Sequence, residues 1–223
     1  NRIMNLIIPM AGKGTRLRPQ TLTTPKPLIE VAGKTILQRI INTALNRKKN
    51  KIKNIGFIIG EKDREIENML HQIGEKNQIK THIYYQEEPQ GTAHAIYQAN
   101  DLLTGQCLIV FADTLFDSKL EFTKDSESSI FIQEVDNPSA YGIVKTNERG
   151  YIKEFIEKPK NFISNMAIIG VYFFQSGQDL SREIELILSN NILDKGEYQL
   201  TTALENLKSK GANFIPKKVS NWL

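Results

Sequence analysis

The chain has 223 residues, 40% of them hydrophobic and 24% charged, with a formal net charge of +4. That balance suits a soluble globular unit of one large domain, or one domain with a subsidiary lobe, and a chain this long buries a core without disulfide or metal staples. No apolar run approaches the roughly 18 residues that a bilayer-crossing helix needs, and Pro9 and Gly12 interrupt the only candidate for a secretory signal. No membrane association is therefore expected. The single cysteine, Cys107, lies in an apolar stretch and forms no disulfide framework, which points to a core side chain in a reducing cytoplasm. The densest basic run, Arg47, Lys48, Lys49, Lys51 and Lys53, has no interleaved aromatic residues. It reads as a solvated helix end, and no nucleic-acid partner is expected.

Residues 3–8 read as a strand buried on both faces. Thr35 is placed to cap a helix in which Ile36, Leu37, Ile40, Ile41, Ala44 and Leu45 share one face. The pattern then predicts a strand over 54–60, a helix over 63–73, a strand over 79–85, a helix over 92–103 and a strand over 106–111. Such βαβα alternation implies a mainly parallel sheet flanked by helices. The second half changes character, with strands over 129–135, 141–146, 151–156 and 167–174 and a hairpin turn at 147–150. Helices return over 180–188 and 200–210, before a last strand over 213–219. The expected fold class is α/β: a Rossmann-like, mainly parallel central sheet with a smaller antiparallel β lobe. No repeat, low-complexity tract or linker divides the chain, so 1–223 reads as one domain with halves of 1–115 and 116–223.

The segment after the first strand carries the chemistry. In an open parallel sheet, ligands bind where loops leave the carboxyl ends of strands, and loop 9–19 leaves one such end. Gly12 and Gly14 let backbone N–H groups approach an anion. The loop is not a P-loop, because Ile7 stands where that motif needs glycine and Gly14 replaces its Ser/Thr; Leu17 likewise occupies the third glycine position of the dinucleotide fingerprint. Arg16 follows the glycines, and Lys26 sits between Pro25 and Pro27, whose fixed φ holds the lysine backbone in place. A cation on a stiff loop facing one on a flexible loop makes a clamp for a polyphosphate.

Gly12-Lys13-Gly14-Thr15-Arg16-Leu17-Arg18-Pro19 followed by Pro25-Lys26-Pro27-Leu28 resembles the signature of sugar-1-phosphate nucleotidyltransferases, also called nucleotide-sugar pyrophosphorylases. The resemblance continues in order through Gln86, Pro89 to Ala95, Phe111-Ala112-Asp113, Tyr141-Gly142, Glu157-Lys158-Pro159, Gly170, and Gly196 to Thr201, and so covers essentially the whole chain. It implies attack by a sugar-1-phosphate oxygen on the α-phosphorus of a nucleoside triphosphate, with release of pyrophosphate. A phosphate monoester is already anionic at neutral pH, its second pKa being about 6. No general base is needed, and the obstacle is the meeting of two anions.

By resemblance, Arg16 and Lys26 are the catalytic cations and Asp113 holds Mg²⁺. Met10, Ala11, Gly12, Gly14, Thr15, Gln86, Gly91 and Thr92 match the nucleotide-binding set, and a Gln amide suits the edge of uracil or thymine. Gly142, Glu157, Lys158 and Ile168 match the sugar-phosphate set. Ile168 stands where acetylglucosamine uridylyltransferases carry Asn, which leans towards a glucose-like sugar. The family usually has glycine where Ala112 stands, so a methyl group is expected to crowd the nucleotide slightly. His94 is expected to pack without taking part in chemistry, and His71 and His82 to be surface or structural residues.

The implied partners are a nucleoside triphosphate, UTP or dTTP by preference, and a sugar-1-phosphate, with association into homo-oligomers left open. Thymidylyl-type relatives run Trp-x-Asp-x-Gly where this chain reads Asn221-Trp222-Leu223, so the chain is expected to be truncated, with the gene continuing into that Asp. Three other readings stay open. One is a cytidylyltransferase for phosphocholine, with Tyr141, Tyr151 and Phe155 as an aromatic cage. The second is a non-catalytic nucleotide-sugar-binding regulatory module, although this chain keeps Arg16, Lys26 and Asp113. The third is a GT-A glycosyltransferase, although Asp113-Thr114-Leu115 lacks the second Asp of its metal triplet.

Overall fold

A computed structural model describes residues 3–10, 28, 30–31, 34–45, 51–114, 116–118, 120–219 and 221–222. In chain order the elements are β1 (Met4–Pro9), β2 (Glu30–Val31), β3 (Lys34–Thr35), α1 (Ile36–Leu45), β4 (Ile52–Ile59), α2 (Arg64–Lys76) and β5 (Lys80–Tyr85). There follow α3 (Thr92–Tyr97), a 3₁₀ turn at Asn100–Leu102, β6 (Cys107–Val110), β7 (Phe116–Asp117), β8 (Ser129–Glu134), a 3₁₀ turn at Pro138–Ala140 and β9 (Gly142–Thr146). The rest are β10 (Ile152–Glu157), β11 (Met166–Phe174), α4 (Gly177–Ser189), α5 (Leu200–Ser209), β12 (Ile215–Lys218) and β13 (Asn221–Trp222).

Nine strands form one sheet in the order β10-β9-β11-β6-β1-β4-β5, with β8 pairing β11 and β12 pairing β8 off that path. The β6-β1-β4-β5 block is parallel throughout, as the βαβα pattern predicts. The expected antiparallel lobe continues the same sheet. Its hinge is β11, which pairs antiparallel with β9 at Ala167 and with β6 through Val171–Phe174, and with β8 on either side of the bend, through Met166–Ile168 and Tyr172–Phe173. The register of β11 shifts between Ile168 and Tyr172, around Gly170 at φ +95°. A side chain on Gly170 would stand 2.6 Å from Thr114 Oγ1, so the bend requires glycine.

Alternate residues of the central strands feed two cores, one on each face. Leu6, Ile8, Phe57 and Leu108 pack on the face covered by α1 and α2. Ile7, Ile58, Ile109 and Phe174 pack on the face covered by α3, α4 and α5. Thr35 does cap α1: Gln38 N donates to Thr35 Oγ1 at 3.0 Å, and Thr35 N donates back to Gln38 Oε1 at 2.9 Å. Asp63 caps α2 by accepting from Glu65 and Ile66 N–H groups, both at 3.1 Å. The helix expected over 92–103 stops at Tyr97 and tightens into i→i+3 bonds, such as Ala99 N to Ile96 O at 3.0 Å. Strands β2, β3, β7 and β13 span two residues each, too short for any periodicity to announce them. Among the described residues, no helix is long and apolar enough to cross a membrane.

Cys107 is buried, and burial pushes its thiol up to about 12. One polar chain crosses the parallel strands. Asn5 Nδ2 donates to the Leu102 carbonyl at 2.8 Å, Asn54 Nδ2 donates to Asn5 Oδ1 at 3.0 Å, and His82 Nε2 lies 2.9 Å from Asn54 Oδ1. His82 is thus structural, as expected. Replacing Asn5 by Leu takes the Asn54 amide's partner away and leaves the Leu102 carbonyl only the weak Cys107 thiol donor at 3.4 Å. We expect a loss of about 2–3 kcal/mol, read as a lower urea midpoint at unchanged slope.

Candidate active site

The carboxyl ends of β1, β4, β5 and β6 lie along one edge of the sheet. Met10 N donates to Ile58 O at 2.7 Å, Gln86 N to Ile59 O at 2.8 Å, and Ala112 N to Pro9 O at 3.1 Å. Met10, Gln86 and Asp113 therefore stand on the same edge. With β4 and β1 between them, the Gln86 and Asp113 backbones are about 14 Å apart at ~4.8 Å per strand. The Met10 side chain is buried in the core, so what it offers a ligand is main chain. Ala112 is buried in that core as well. Ala11, Gly12, Gly14, Thr15, Arg16 and Lys26 lie outside the described residues.

Beside Asp113 opens a cleft of about 260 Å³ that brings together Thr92, Asp113, Gly142, Glu157 and Ile168, with Tyr141, Tyr172 and Thr201. Gly142 forms part of its floor. A Cβ there would lie 3.1 Å from Thr201 Cγ2, 3.2 Å from Glu157 Oε2 and 3.3 Å from Ile168 Cδ1. Glu157 accepts from Thr201 Oγ1 at 2.9 Å. Burial pushes the Glu157 carboxyl above its usual range, while the Thr201 hydrogen bond and the Lys158 charge pull the other way. Burial, helped by the Glu157 and Asp113 carboxylates, also raises the Tyr172 hydroxyl, which stays protonated. Lys158 adopts a left-handed backbone with φ 39° and donates its N–H to Tyr141 O at 3.0 Å. Its side chain is exposed and does not line the cleft.

The loop holding Gln86 and Gly91 is tied to the segment entering α5. Tyr198 N donates to Gln90 O at 2.9 Å, Ala93 N to Tyr198 O at 3.0 Å, and Leu200 N to Thr92 Oγ1 at 2.8 Å. Gly91 has φ +112°, and a Cβ on it would come within 2.4 Å of Tyr198 O. Gln86 Nε2 donates to Gly91 O at 3.2 Å and lies 2.8 Å from His94 Nδ1. Sequence reasoning gave neither Thr201 nor His94 a role. Thr201 was within a matched motif, and His94 lies eight residues after Gln86, so both were visible as positions but not as contacts.

The three aromatics expected as a cage do not converge. Tyr141 lines the cleft, Tyr151 OH donates to Glu127 Oε1 at 3.1 Å, and Phe155 packs edge-on against Phe214 in the core. Asp113 is exposed at the cleft and makes no side-chain hydrogen bond or ion pair among the described residues. Among those residues no group of three or more His, Cys, Asp and Glu assembles. A lone free carboxylate suits a hard cation that keeps waters and phosphate oxygens as its other ligands, which is the habit of Mg²⁺.

The family model described as nucleotidyl transferase matches residues 6–222. The chain is 35% identical over 204 residues to the bifunctional protein GlmU of Methanocaldococcus jannaschii, covering 92% of this chain and 47% of that protein. It thus spans about half the length of the curated relatives it matches first. It is 28% identical over 227 residues to the UTP–glucose-1-phosphate uridylyltransferase AglF of Haloferax volcanii, covering 98% and 89% of the two chains. A crystal structure of a UDP-glucose pyrophosphorylase complexed with UDP-glucose shares the fold, with a TM-score of 0.76 at 23% identity over 98% of this chain and 91% of that one.

The half-buried Glu157 carboxyl sets up a trade between stability and charge. Its folded pKa is raised, so between its ordinary value of 4.5 and the raised value the folded state holds more protons than the unfolded one. Stability therefore falls as pH rises through that window, and the loss persists above it. Glu157→Gln should melt higher than the unchanged protein at pH 7, with the difference vanishing below about pH 4. Thermal melts at both pH values check this.

Proposed function

The chain belongs to the nucleotidyl transferase family, and from that premise we propose that it condenses a hexose-1-phosphate with UTP or dTTP to give a nucleotide-sugar and pyrophosphate. The observation that carries this reading is the meeting of Asp113, Gly142 and Glu157 in one cleft at the edge where Gln86 and Met10 also end their strands. The base lies against Gln86 and Gly91, and the hexose lies in the 260 Å³ cleft over Gly142. Across the sheet edge this leaves the reacting phosphates near Asp113. A sugar-phosphate oxygen forms its bond to the α-phosphorus as the bond from that phosphorus to the bridging oxygen of pyrophosphate breaks, and pyrophosphate departs with the electron pair. The nucleophile is already an anion, so no proton need be moved.

The work of the side chains is to overcome repulsion and to orient. Arg16 and Lys26 neutralise the triphosphate and the reacting centre. Glu157, held by Thr201, accepts from sugar hydroxyls. Asp113 would hold Mg²⁺, which supplies positive charge to the phosphate oxygens. Ile168 puts an apolar wall where an amide would be needed to hold an acetamido group, which favours a glucose-like sugar. The similarity to AglF supports the same pairing of UTP with glucose-1-phosphate. The scattered Tyr151 and Phe155 argue against the phosphocholine reading. We place the reaction in the cytoplasm on the strength of the lone, buried Cys107.

Pyrophosphate release over a matrix of triphosphates and sugar-1-phosphates tests the proposal. UTP or dTTP with glucose-1-phosphate should give the highest turnover. Asp113→Ala should lower kcat about 100-fold with an unchanged melting temperature. Release with no pair at all would overturn the reading in favour of a regulatory nucleotide-sugar-binding module.

A further inference from the structure

Gln86 ends β5 at the ligand edge and is only 4% exposed. Its amide has two N–H donors and one acceptor oxygen. Nε2 donates to the Gly91 carbonyl at 3.2 Å and stands 2.8 Å from His94 Nδ1. The Gly91 carbonyl can only accept, so the atom facing it must be the amide nitrogen. His94 Nδ1 must then accept the second N–H, which makes His94 a neutral imidazole with its proton on Nε2. The competing contact is weaker. Gln98 Nε2 lies 3.4 Å from His94 Nε2, against 2.8 Å for the Gln86 contact, and makes its shorter bond to the His94 carbonyl at 3.0 Å. Both Gln86 donors are therefore spent, and Gln86 Oε1 has no hydrogen-bond partner among the described residues.

We infer that His94 is a positioning residue that, together with the Gly91 carbonyl, holds the sense of the Gln86 amide and takes up its second N–H, so that what Gln86 has left to offer a base is an acceptor and no donor. For its ligand this rests on the nucleotidyl-transfer reading of the site. An acceptor pairs with the imide N3–H that uracil and thymine carry. Cytosine presents a lone pair at N3, and two acceptors facing each other repel. Selectivity between pyrimidines is thus set one shell back from the base, by a residue that need not touch the nucleotide. Were His94 to gain a proton on Nδ1, it would face Gln86 Nε2 as a second donor, and the amide could no longer satisfy both His94 and the Gly91 carbonyl.

The surroundings keep that from happening at neutral pH. The groups packed against the imidazole are the Gln86 and Gln98 amides and the Tyr198 ring, whose centroid is 6.5 Å away. Burial alone holds the His94 pKa below its usual 6.5, with no charged group contributing. The lock is therefore complete above pH 6.5 and is lost as pH falls through the lowered value.

Calorimetric binding of UTP, dTTP and CTP to the unchanged protein, to His94→Leu and to His94→Asn tests this. The unchanged protein should bind UTP or dTTP at least about tenfold more tightly than CTP. His94→Leu should lose about tenfold for UTP and dTTP, narrowing that ratio. In His94→Asn the side-chain oxygen again accepts from Gln86, so the ratio should return. The acid-side decline of the ratio expected of the unchanged protein should be absent from that variant. His94→Ala replaces His94→Leu should the latter fail to fold. A folded His94→Leu or His94→Ala protein with an unchanged ratio overturns the inference, as does an Asn variant that fails to restore it. Unchanged protein that binds all three nucleotides alike, or none of them, overturns it too. Preserved base preference without pyrophosphate release would instead sink the proposed reaction and leave the role of His94 standing.

Discussion

The site depends on a backbone contact that no side chain could survive. The Tyr198 carbonyl and amide lie where a Cβ on Gly91 would have to be, and the two strands of chain exchange hydrogen bonds from Gln90, Ala93 and Thr92. Because Gly91 has φ +112°, the loop can turn directly from the end of β5 into α3 while staying in contact with the entry to α5. Thr92 Oγ1 then takes up Leu200 N–H, one of the unpaired donors at the start of α5. One junction thus places Gln86 on one side and Thr201 on the other. Thr201 in turn holds Glu157 over Gly142. Gln86 and the Thr201–Glu157 pair are set against each other by main chain, which is stiffer than any pairing of long side chains.

The second constraint is β11. A strand that pairs with β9 at one end and β6 at the other, while β8 follows it on both sides of a register shift, has to bend, and Gly170 allows it to do so beside Thr114 and Phe111. The bend brings Ile168 to the cleft and puts Tyr172 between two carboxylates. Parallel and antiparallel regions therefore share one sheet, and the cleft forms where the strand directions change. Ligand sites in open α/β sheets sit at such switch points for the same reason: neighbouring loops diverge and leave a crevice.

The long elements were legible in the sequence because their periodicity was strong. Strand β1, buried along its whole length, and α1, capped by Thr35, follow from residue types alone, while the return bond to Gln38 came only with the structure. The order of motifs pointed to the residues that share the cleft, Asp113 with Gly142, Glu157 and Ile168. Contacts between motifs were not legible. That Thr201 bonds Glu157 and Thr92 bonds Leu200 depends on how chain segments 44 and 108 residues apart meet in space. The role of His94 was hidden for a related reason. A histidine on a short helix looks like packing until the direction of its ring nitrogens is known. The two-residue ladder of β7 with β13 left no mark either, since a period of two needs more than two residues to show.

Cys107 has a practical consequence. Buried in β6, with its thiol kept neutral by its surroundings, it is chemically silent towards reagents that need an exposed thiolate. It is also the chain's sole sulfhydryl. A cysteine introduced at an exposed position, in place of Phe162 for example, would therefore be the single point of attachment for a dye or spin label. The native fold thus comes ready for spectroscopy on one chosen position, with no prior removal of background reactivity.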